Sequence, residues 1–497
     1  MKISEYMQMY REEKITYDHE VSGIFEDSRE VVENGIFIAI QGYTVDGKQY
    51  IEDALHLGAK TIVFEKGTYA PQDTSSVNYI GVESVKVELA RLLKWFYQGQ
   101  KYPKIVGITG TNGKTTVSEL VYQFLKSREE NVLYLGTGKI KSYLGKEVVT
   151  TSPNTTPRLS TLYHHMFSGD YHYVVMEVSS QGIAEGRVLG ISFDIACLTN
   201  ITQDHLDYHK NMDAYAFEKL KLALSLQEQS TLILNQETAY YQWFIQASLA
   251  KCKTYSSSSF CAYAHAIGKI VSLDKEGMQL EIWQNGIYQQ AQTHLVGEFN
   301  VDNILAGLLI AETLGFEKND FFQFLPSFLP VKGRMNVYAL HLPEKDIYVV
   351  IDYAHTPDGV KQALMSLRKL TSQRLITIIG CGGNRDQDKR PKIGKIATEL
   401  SDLVCFTEDN SRSEPLPLIL SDIVKGVIKS NYLIVEDRAK AIDTAITLAR
   451  TDDIIVLLGK GEETEIIGST IKPFSDINYV ESLGGKLCLH PFMHSLH

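Results

Sequence analysis

The chain has 497 residues, which is too long for one ordinary hydrophobic core and predicts about three domains. Its composition, 44% apolar and 22% charged, is that of a globular protein, and a net charge of −11 argues against a nucleic-acid partner. The six cysteines are scattered without a C-x-x-C pair, which excludes a disulfide framework and a zinc site and favours a reducing compartment.

The N-terminus has no apolar core followed by a cleavage pattern, so no signal peptide is predicted. No run reaches the ~18–20 apolar residues that a membrane-spanning helix needs. The expected location is the cytoplasm, without a membrane partner.

The first hundred residues contain short strand-like runs, such as residues 35–40, and end in a helical pattern over residues 85–98. Residues 101–104 form a predicted linker, because Pro103 and the flanking charges interrupt both patterns. The predicted boundaries are therefore residues 1–100 for the first domain and 101–330 for the second.

From Ile105 onward, buried strands alternate with helical stretches, which is typical of a parallel, doubly wound sheet. The strand-like runs of this segment are residues 105–109, 131–136, 171–179 and 193–201. The same alternation restarts near Val331, and its strand-like runs are residues 346–355, 374–381, 401–407 and 453–459. We predict an α/β fold of three domains, the third a smaller α/β sheet over residues 331–497 with an unpatterned tail.

A glycine-rich turn, GITGTNGKTT over residues 107–116, follows the first central strand and precedes a helical stretch. Glycines let backbone N–H groups close around phosphate oxygens, and the helix N-terminus adds a favourable dipole. Lys114 would reach the β- and γ-phosphates, and the Thr115 hydroxyl would take a magnesium position. The strict phosphate-loop spacing is not met, since Ile108 stands where the first glycine belongs. A structural turn, a kinase, a transport ATPase and a switch GTPase all stay open at this point.

Acidic and histidine residues follow two further strands of the central segment. Glu177 ends one strand, and the sequence TNITQDHLDYH over residues 199–209 follows the next. Because ligands bind at the carboxyl ends of such strands, Glu177 and an imidazole would complete a magnesium shell. The alternative is a polar loop with capping aspartates. Lys219, from its position alone, is predicted to be a solvated helix lysine.

A series of motifs recurs in order along nearly the whole chain. They are DSR (27–29), DG (46–47), GTNGKTT (110–116), NTTP (154–157), EVSS (177–180), TNxxxDHLDYH (199–209), GxFNxxN (297–303), GRM (333–335), DYAHTPDG (352–359), GCGGNRDxxKRP (380–391) and GKG (459–461). This series resembles the Mur ligases, and within them the members that add the third residue of the stem peptide to UDP-N-acetylmuramoyl-L-alanyl-D-glutamate.

The resemblance implies a small N-terminal UDP-binding domain, a central P-loop domain with an ATPase-like parallel sheet and a C-terminal Rossmann-like domain that binds the amino acid. It implies that the UDP-muramoyl-peptide is bound by Ser28, Asp46, Gly47, Thr155, Thr156, Ser179 and Arg187. The implied ATP-binding residues are Gly110, Thr111, Asn112, Gly113, Lys114, Thr115, Thr116, Asn300, Arg334, Asp352 and His355. The implied catalytic residues are Lys114, Glu177, His205 and Lys219.

Magnesium and ATP are the implied cofactors. The implied metal residues are Thr115, Glu177, His205 and Lys219, with Lys219 carbamylated to N6-carboxylysine. The substrate carboxylate would attack the γ-phosphate of ATP, and the amine of an amino acid would then displace phosphate from the acyl phosphate. Such an enzyme acts in peptidoglycan precursor synthesis, and a monomer is expected.

The third domain would select the amino acid, and the implied residues are Arg385, Asp409, Asn410, Arg412, Gly459 and Glu463. In enzymes that use diaminopimelate, a D-N-P-R motif supplies an arginine for bidentate binding of the distal carboxylate. Here the motif is D-N-S-R, with Ser411 in place of proline. Gln181 and Glu462 each stand where the family usually has histidine.

meso-Diaminopimelate is therefore the favoured amino acid, and L-lysine addition or a divergent paralogue with another amino acid is the alternative. A folylpolyglutamate-type or secondary-metabolite amide ligase is a further possibility, against which the DSR and DG motifs argue. A catalytically silent, nucleotide-gated binding protein belongs to a different class. The joint presence of Lys114, Glu177, His205 and Lys219 argues against it.

Overall fold

We describe the protein from a computed structural model, which covers residues 1–11, 15–42, 45–70, 76–142, 147–149, 154–258, 263–274, 277–461, 465–467, 470–472 and 474–488. These residues form two compact units, each described by itself. The first contains Met1–Val106 and Glu130–Phe193, and the second contains Gly107–Glu129 and Asp194–His497.

The helices, in chain order, are α1 (Ile3–Tyr10), α2 (Ile51–His56), α3 (Val85–Phe96), α4 (Lys114–Ser127), α5 (Leu159–Met166), α6 (Ser180–Ala184), α7 (Leu206–His209), α8 (Met212–Leu224), α9 (Tyr241–Ala247), α10 (Phe299–Leu314), α11 (Lys318–Phe324), α12 (Pro357–Leu370), α13 (Lys389–Leu400), α14 (Leu416–Val424), α15 (Arg438–Leu448) and α16 (Asp476–Ser482). Short 3₁₀ helices cover Ser28–Glu30, Gly47–Tyr50 and Leu325–Ser327.

The strands of the first part of the chain are β1 (Ile24–Phe25), β2 (Ile36–Ile38), β3 (Thr61–Glu65), β4 (Asn78–Val82), β5 (Lys104–Thr109), β6 (Val132–Gly136), β7 (Lys139–Lys141), β8 (Glu147–Val149) and β9 (Tyr173–Glu177). Those of the middle are β10 (Ile195–Leu198), β11 (Thr231–Asn235), β12 (Lys251–Ser256), β13 (Ala266–Asp274), β14 (Gly277–Gln284) and β15 (Ile287–Thr293). Those of the last part are β16 (Asn336–Leu342), β17 (Lys345–Asp352), β18 (Leu375–Ile379), β19 (Leu403–Phe406), β20 (Tyr432–Ile434), β21 (Ile454–Leu458), β22 (Glu465–Ile467), β23 (Thr470–Lys472) and β24 (Lys486–Leu487).

The first unit contains a parallel sheet of order β1-β2-β3-β4. Its inward side chains, among them Phe37 and Ile62, pack with Ile51 and Ala54 of α2. Alternate side chains of a strand point to opposite faces of the sheet. The apolar side chains on the face that includes Phe37 and Ile62 are buried against α2. The unit also contains a second group of strands, in which β9 pairs with β6 in parallel and β6-β7-β8 run antiparallel.

The second unit contains two further groups of strands. In one, β10, β11, β12 and β13 are parallel, and β13, β14 and β15 continue as an antiparallel meander. β5 runs from the first unit into the second, where the Thr199 amide after β10 donates to the carbonyl of Thr109 at 3.0 Å. The loops after β5 and β10 therefore leave the same edge of the sheet.

The last sheet has the order β20-β19-β18-β21-β17-β16-β24. The first five strands in this order, β20 through β17, pair in parallel. β16 pairs antiparallel with β17 on one side and with β24 on the other. Helices α12, α13 and α14 pack on one face, and α15 and α16 pack on the other. Because both faces are covered, neighbouring residues of one strand such as Val349 and Val350 are both fully buried.

The α/β fold class of three domains and the predicted strand-and-helix alternation are confirmed. The predicted run at 105–109 is β5, the predicted helix after the glycine-rich turn is α4, and the predicted helix at 85–98 is α3. The antiparallel β13–β15 meander was not predicted. In the described part of the chain no helix is long and apolar enough to cross a membrane. The described cysteines carry free thiols, and Cys261 lies outside the described residues.

Asp302 lies in the first turn of α10, and its burial predicts a pH-dependent change in the unfolding free energy. Burial and the charge of Glu237 after β11 raise the pKa of Asp302 to about 6. A carboxyl with a raised folded pKa binds its proton more tightly in the folded state, so its stabilising contribution is lost as the pH rises through 6. We expect the unfolding free energy of Asp302→Asn, relative to wild type, to increase by about 1–3 kcal/mol between about pH 4 and pH 8.

Denaturant unfolding at both pH values measures this difference. Asp213→Asn is the matched control, because Asp213 is exposed in the first turn of α8. Equal pH dependence of the two variants would contradict the expectation.

Candidate active site

The glycine-rich turn connects β5 to α4, and its backbone requires two glycines. Gly110 has φ of 147° and Gly113 has φ of 89°. A Cβ on Gly110 would lie 1.9 Å from Thr199 Oγ1, and a Cβ on Gly113 would lie 2.5 Å from Asn303 Oδ1. The turn is therefore packed too closely for side chains, and it presents the N-terminus of a 14-residue helix. This arrangement suits an anion.

Lys114 and Thr115 lie at the start of α4. Lys114 Nζ donates to the carbonyl oxygens of Gly110 at 3.0 Å and Thr111 at 2.9 Å, so the ammonium lies over the turn. Thr115 Oγ1 accepts from Arg334 Nη2 at 3.3 Å, and the next residue, Thr116, is buried. Two positive side chains thus contact the turn and the start of α4, where the helix N-terminus adds its own positive potential.

Lys219 lies on α8 with only 1% of its surface exposed, and its amine donates to Gly110 O at 2.8 Å. The interpretation of Lys219 as a solvated helix lysine is wrong, because α8 packs this face against the turn. The amine lies 4.6 Å from the centroid of the Tyr215 ring, whose hydroxyl is 3.1 Å from Thr111 Oγ1. Burial and the nearby Lys114 ammonium lower the pKa of Lys219 well below its usual range.

Asp204 is a buried carboxylate with two imidazoles and a lysine around it. Its carboxylate lies 3.4 Å from His205 Nε2, 3.5 Å from His355 Nε2 and 3.5 Å from Lys389 Nζ. Burial by itself would raise the pKa of Asp204, but His205, Lys389 and His355 hold it well below its usual range. Burial lowers the pKa of His205 to about 3, so its imidazole is neutral and able to act as a ligand.

Asn112 and Asn300 have side chains that contact other protein groups. Asn112 Nδ2 donates to Asp358 Oδ2 at 3.2 Å, and its Oδ1 accepts from Thr356 Oγ1 at 3.4 Å. Asn300 Nδ2 donates to Val296 O at 2.7 Å, and its Oδ1 accepts from Asn303 at 2.8 Å. Asn112 thus ties the turn to residues 356–358, and Asn300 holds the start of α10. Contact of either side chain with ATP stays a prediction.

Arg334, Asp352 and His355 lie around the same turn. The Arg334 guanidinium carbon lies 4.4 Å from the centroid of the Tyr353 ring. Asp352 is buried, and its carboxylate accepts from the amides of Met335 and Ala354, each at 2.8 Å. Burial raises the pKa of Asp352 against the opposing charge of Arg334. The two hydrogen bonds of the Asp352 carboxylate join the loop after β17 to the residue that precedes β16.

The predicted amino-acid residues follow three neighbouring strands of the last sheet, β18, β19 and β21. Lys460, which is fully buried, lies 3.2 Å from Asn410 Oδ1 and 3.8 Å from Asp409 Oδ1. Gly459 has φ of 104°, and a Cβ there would lie 2.8 Å from Asp409 Oδ2. Parallel strands place ligands at this edge.

Arg385 and Arg412 occupy different surroundings at this edge. Arg385 Nη1 lies 3.9 Å from Asp207 Oδ2. Arg412 Nη1 donates to the carbonyls of Gly383 at 3.0 Å and Asn410 at 3.1 Å. Glu463 and the departure at Glu462 lie outside the described residues.

In the first unit, Glu177 ends β9 with 1% of its surface exposed. Tyr134 donates to Glu177 Oε1 at 2.9 Å, and Thr137 donates to both carboxylate oxygens. The Thr137 hydroxyl oxygen also lies 3.1 Å from Thr155 Oγ1, whose hydroxyl can donate to it. The carboxylate is therefore oriented by a network that includes one of the predicted substrate residues.

Thr156, Ser179 and Arg187 form one hydrogen-bonded group in the first unit. The Ser179 amide donates to Thr156 Oγ1 at 2.9 Å, and Arg187 Nη1 donates to Thr156 O at 2.9 Å. Ser28 is buried at the start of a 3₁₀ helix, and Asp46 accepts from the Lys48 amide at 3.1 Å beside Gly47. The structure thus brings three of the predicted muramoyl-peptide residues together.

The predicted metal residues fit a magnesium ion only if waters and substrate phosphates supply the other ligands. No group of three or more His, Cys, Asp or Glu side chains forms a cation cage among the described residues. Magnesium keeps waters and substrate phosphates and uses few protein ligands. The donors in the second unit, the Thr115 hydroxyl, the imidazole of His205 and the Lys219 amine of lowered pKa, agree with such a partial shell.

Sequence reasoning did not single out Asp204, Asp358, Lys389 or Lys460 as site residues. All four stand inside quoted motifs: Asp204 precedes His205, Asp358 closes DYAHTPDG, Lys389 lies in GCGGNRDxxKRP and Lys460 in GKG. The available signal was a charged residue inside a run that follows a buried strand.

The chain matches the Mur ligase family in three segments: the family's catalytic domain over residues 20–100, the Mur ligase middle domain over 108–311 and the Mur ligase glutamate ligase domain over 333–461. It is similar to a Clostridium tetani protein named UDP-N-acetylmuramoyl-L-alanyl-D-glutamate–2,6-diaminopimelate ligase, with 37% identity over 89% of this chain and 90% of that protein. A protein of the same name from Caldanaerobacter subterraneus is 35% identical over 93% of this chain and 95% of its own length.

A solved structure of a UDP-N-acetylmuramoyl-L-alanyl-D-glutamate–2,6-diaminopimelate ligase is also similar. Its TM-score is 0.63 at 28% identity, and the alignment covers 96% of this chain and 98% of that one. The fold and the family matches therefore define an ATP-dependent ligase. The chain belongs to the Mur ligase family.

Proposed function

We propose that the protein adds meso-diaminopimelate to UDP-N-acetylmuramoyl-L-alanyl-D-glutamate, coupled to the cleavage of ATP to ADP and phosphate, in peptidoglycan precursor synthesis. The observation that carries the proposal is the buried amine of Lys219, 2.8 Å from Gly110 O beside Lys114. A lysine buried against a phosphate-binding turn is costly for stability and is a mark of chemistry. The names of the two bacterial relatives support the choice of substrates.

The chemistry follows from charge. The carboxylate of the substrate's D-glutamyl residue attacks the γ-phosphate of ATP, which gives an acyl phosphate and ADP. Both reactants are anionic, so Lys114 and the N-terminus of α4 must offset their repulsion. The amine of the amino acid then attacks the acyl carbon and expels phosphate, and exclusion of water protects the acyl phosphate meanwhile. Arg334 and His355 complete the polar surroundings of the nucleotide in this proposal.

Magnesium, when bound, would neutralise phosphate charge and align the oxygens. We propose that Thr115, His205 and Lys219 of the second unit hold it. Glu177, in the first unit, stays a metal residue implied by the family resemblance. Lys219 serves this role best as a carbamate, since a neutral amine adds to carbon dioxide and the product is anionic. The lowered pKa of Lys219 and the adjacent Lys114 ammonium favour that reaction.

The first unit would bind the nucleotide sugar. In this proposal Ser28, Asp46 and Gly47 contact the uridine end, and Thr155, Thr156, Ser179 and Arg187 contact the muramoyl-peptide. The hydrogen bonds that join Thr156, Ser179 and Arg187 support one continuous peptide subsite.

The loops after β18, β19 and β21 would bind the amino acid, with Asp409, Asn410, Arg412 and Gly459 among the contacts. A guanidinium is suited to the distal carboxylate of diaminopimelate. L-lysine is a second candidate, because the Arg412 guanidinium already donates to the carbonyls of Gly383 and Asn410. Lysine has no distal carboxylate, so its binding would leave these hydrogen bonds intact.

A panel of meso-diaminopimelate, L-lysine and L-ornithine with UDP-muramoyl-dipeptide and ATP tests the proposal, with the product identified by mass. We expect the diaminopimelate product, and ADP release only when both acceptor and amino acid are present. ADP release that ignores the nucleotide sugar would contradict ligation, and a lysine product would replace the proposed amino acid.

Arg412→Ala is expected to raise the KM for diaminopimelate by about ten- to a hundredfold, because a charged, bidentate hydrogen bond is worth roughly 1.5–3 kcal/mol. The KM for ATP should stay within about twofold of wild type. Steady-state kinetics with each substrate varied in turn measure both. An unchanged KM for diaminopimelate would remove Arg412 from the amino-acid site.

A further inference from the structure

Two loops at the carboxyl edge of the last sheet pack against each other. The first follows β18 and contains residues 380–385; the second, which we name the selection loop, contains residues 408–414 and follows β19. The Gly383 amide donates to Asn410 O at 3.1 Å, and Ser413 Oγ donates to Asn384 Oδ1 at 2.9 Å. A Cβ on Gly383 would lie 1.9 Å from Ser411 O, so the two backbones are in direct contact.

The selection loop has an unfavourable backbone. Asn410 has φ of 38° and Arg412 has φ of 54°, both in the left-handed region. Asparagine tolerates this region, whereas an arginine there is strained and persists only when its surroundings hold it. The loop that carries Asn410 and Arg412 therefore depends on contacts from outside itself.

Arg390, the second residue of α13, supplies such contacts to the selection loop through Glu414. Its side chain is fully buried, and its two terminal nitrogens donate to the two carboxylate oxygens of Glu414 at 2.6 and 2.7 Å. Nη1 also donates to Asp422 Oδ2 on α14 at 3.0 Å. Glu414 Oε2 accepts in turn from the Asn384 amide at 2.8 Å, so one carboxylate joins Arg390 to both loops.

We propose that Arg390 is a positioning residue of the amino-acid site, which fixes the selection loop through Glu414 so that Asn410 and Arg412 meet the incoming amino acid. The inference rests on the proposed function for the identity of the ligand, and the loop geometry stands without it. The planar fork of arginine is required, because two separate nitrogens bind the two oxygens of Glu414 while Nη1 also reaches Asp422, and a single ammonium nitrogen cannot reproduce that arrangement.

Arg390→Lys keeps the charge and most of the volume but loses the fork. We expect the KM for the amino acid to rise by about tenfold or more, since a misplacement of about 1 Å at a reacting group costs up to a hundredfold. The KM values for ATP and UDP-muramoyl-dipeptide should stay within about twofold. Hydrogen–deuterium exchange of peptides that cover residues 408–414 should accelerate by about tenfold, a readout that needs no catalysis.

Arg374→Lys is the matched control. Arg374 also makes a two-point contact with a carboxylate, Asp453, but at the opposite edge of the same sheet, before β18 and β21 begin. It should lower stability without a change in the amino-acid KM or in exchange of the selection loop. Glu414→Gln is the second variant, and it should shift both readouts in the same direction as Arg390→Lys by a smaller factor.

Equal increases of all three KM values, or unchanged exchange of residues 408–414 in a folded Arg390→Lys protein, would overturn the inference. Failure of the wild-type protein to ligate any amino acid would instead overturn the proposed function, while the exchange experiment would still decide the role of Arg390.

Discussion

Replacement of Lys114 by methionine is expected to lower kcat/KM for ligation by about 10³-fold or more, equivalent to roughly 4 kcal/mol of transition-state stabilisation. The Lys114 ammonium lies over the turn, within 3.0 Å of the carbonyls of Gly110 and Thr111. Phosphoryl transfer gains most of its rate from positioning and from charge neutralisation, and methionine preserves the length of the side chain without the charge. Release of ADP and phosphate in the complete reaction measures the loss.

Lys126→Met is the control for this prediction, because Lys126 is exposed in the last turn of the same helix, α4. It should ligate at the wild-type rate. A Lys114→Met enzyme that keeps more than about a tenth of wild-type kcat/KM would remove Lys114 from the phosphate chemistry.

The second large effect is expected at Lys219. Lys219→Ala should reduce ligation by about 10²- to 10³-fold, because the variant removes the amine that contacts Gly110 O at 2.8 Å and any carbamate formed on it. Lys219→Arg should be as inactive, since a guanidinium stays protonated and adds no carbon dioxide. Activity assays of both variants, with a carbamate signal from isotopically labelled bicarbonate in the wild type, test the assignment.

Lys221→Ala is the matched control, because Lys221 lies two residues further on α8 and is 45% exposed in an ion pair with Glu218. Its activity should equal that of wild type. Full ligation by Lys219→Ala would withdraw the catalytic role, and a labelled carbamate absent from an active wild-type enzyme would withdraw the modification.

Local sequence patterns predicted the elements whose burial is continuous. β5, β6, β9 and β10, and β17, β18, β19 and β21 of the last sheet, are apolar runs bounded by turns, so their type and order follow from pattern alone. β16, β20 and β24 of that sheet were not predicted, and β20 and β24 are largely exposed. The β14 strand also alternates, with Met278, Leu280 and Ile282 buried. Asn285-Gly286, with φ of 50° and 80°, is the local hairpin signal that joins β14 to antiparallel β15, and it was not used in the prediction.

Side-chain environments were harder to predict than elements. Lys219 is polar and lies on a helix of weak amphipathicity, so nothing in its neighbourhood predicts that α8 buries it. Asn112 stands in the glycine-rich turn, yet its amide group contacts Thr356 and Asp358, more than two hundred residues away. Such contacts arise from the packing of distant segments, which no local period encodes.

The contact between Asn112 and Asp358 has a thermodynamic consequence. It joins the turn that would hold ATP to the first turn of α12, and Arg334 joins the same turn to the start of β16. A ligand that shifts one side of these hydrogen bonds changes the free energy of the other. By linkage, whatever factor ATP applies to the affinity for the amino acid, the amino acid must apply to the affinity for ATP.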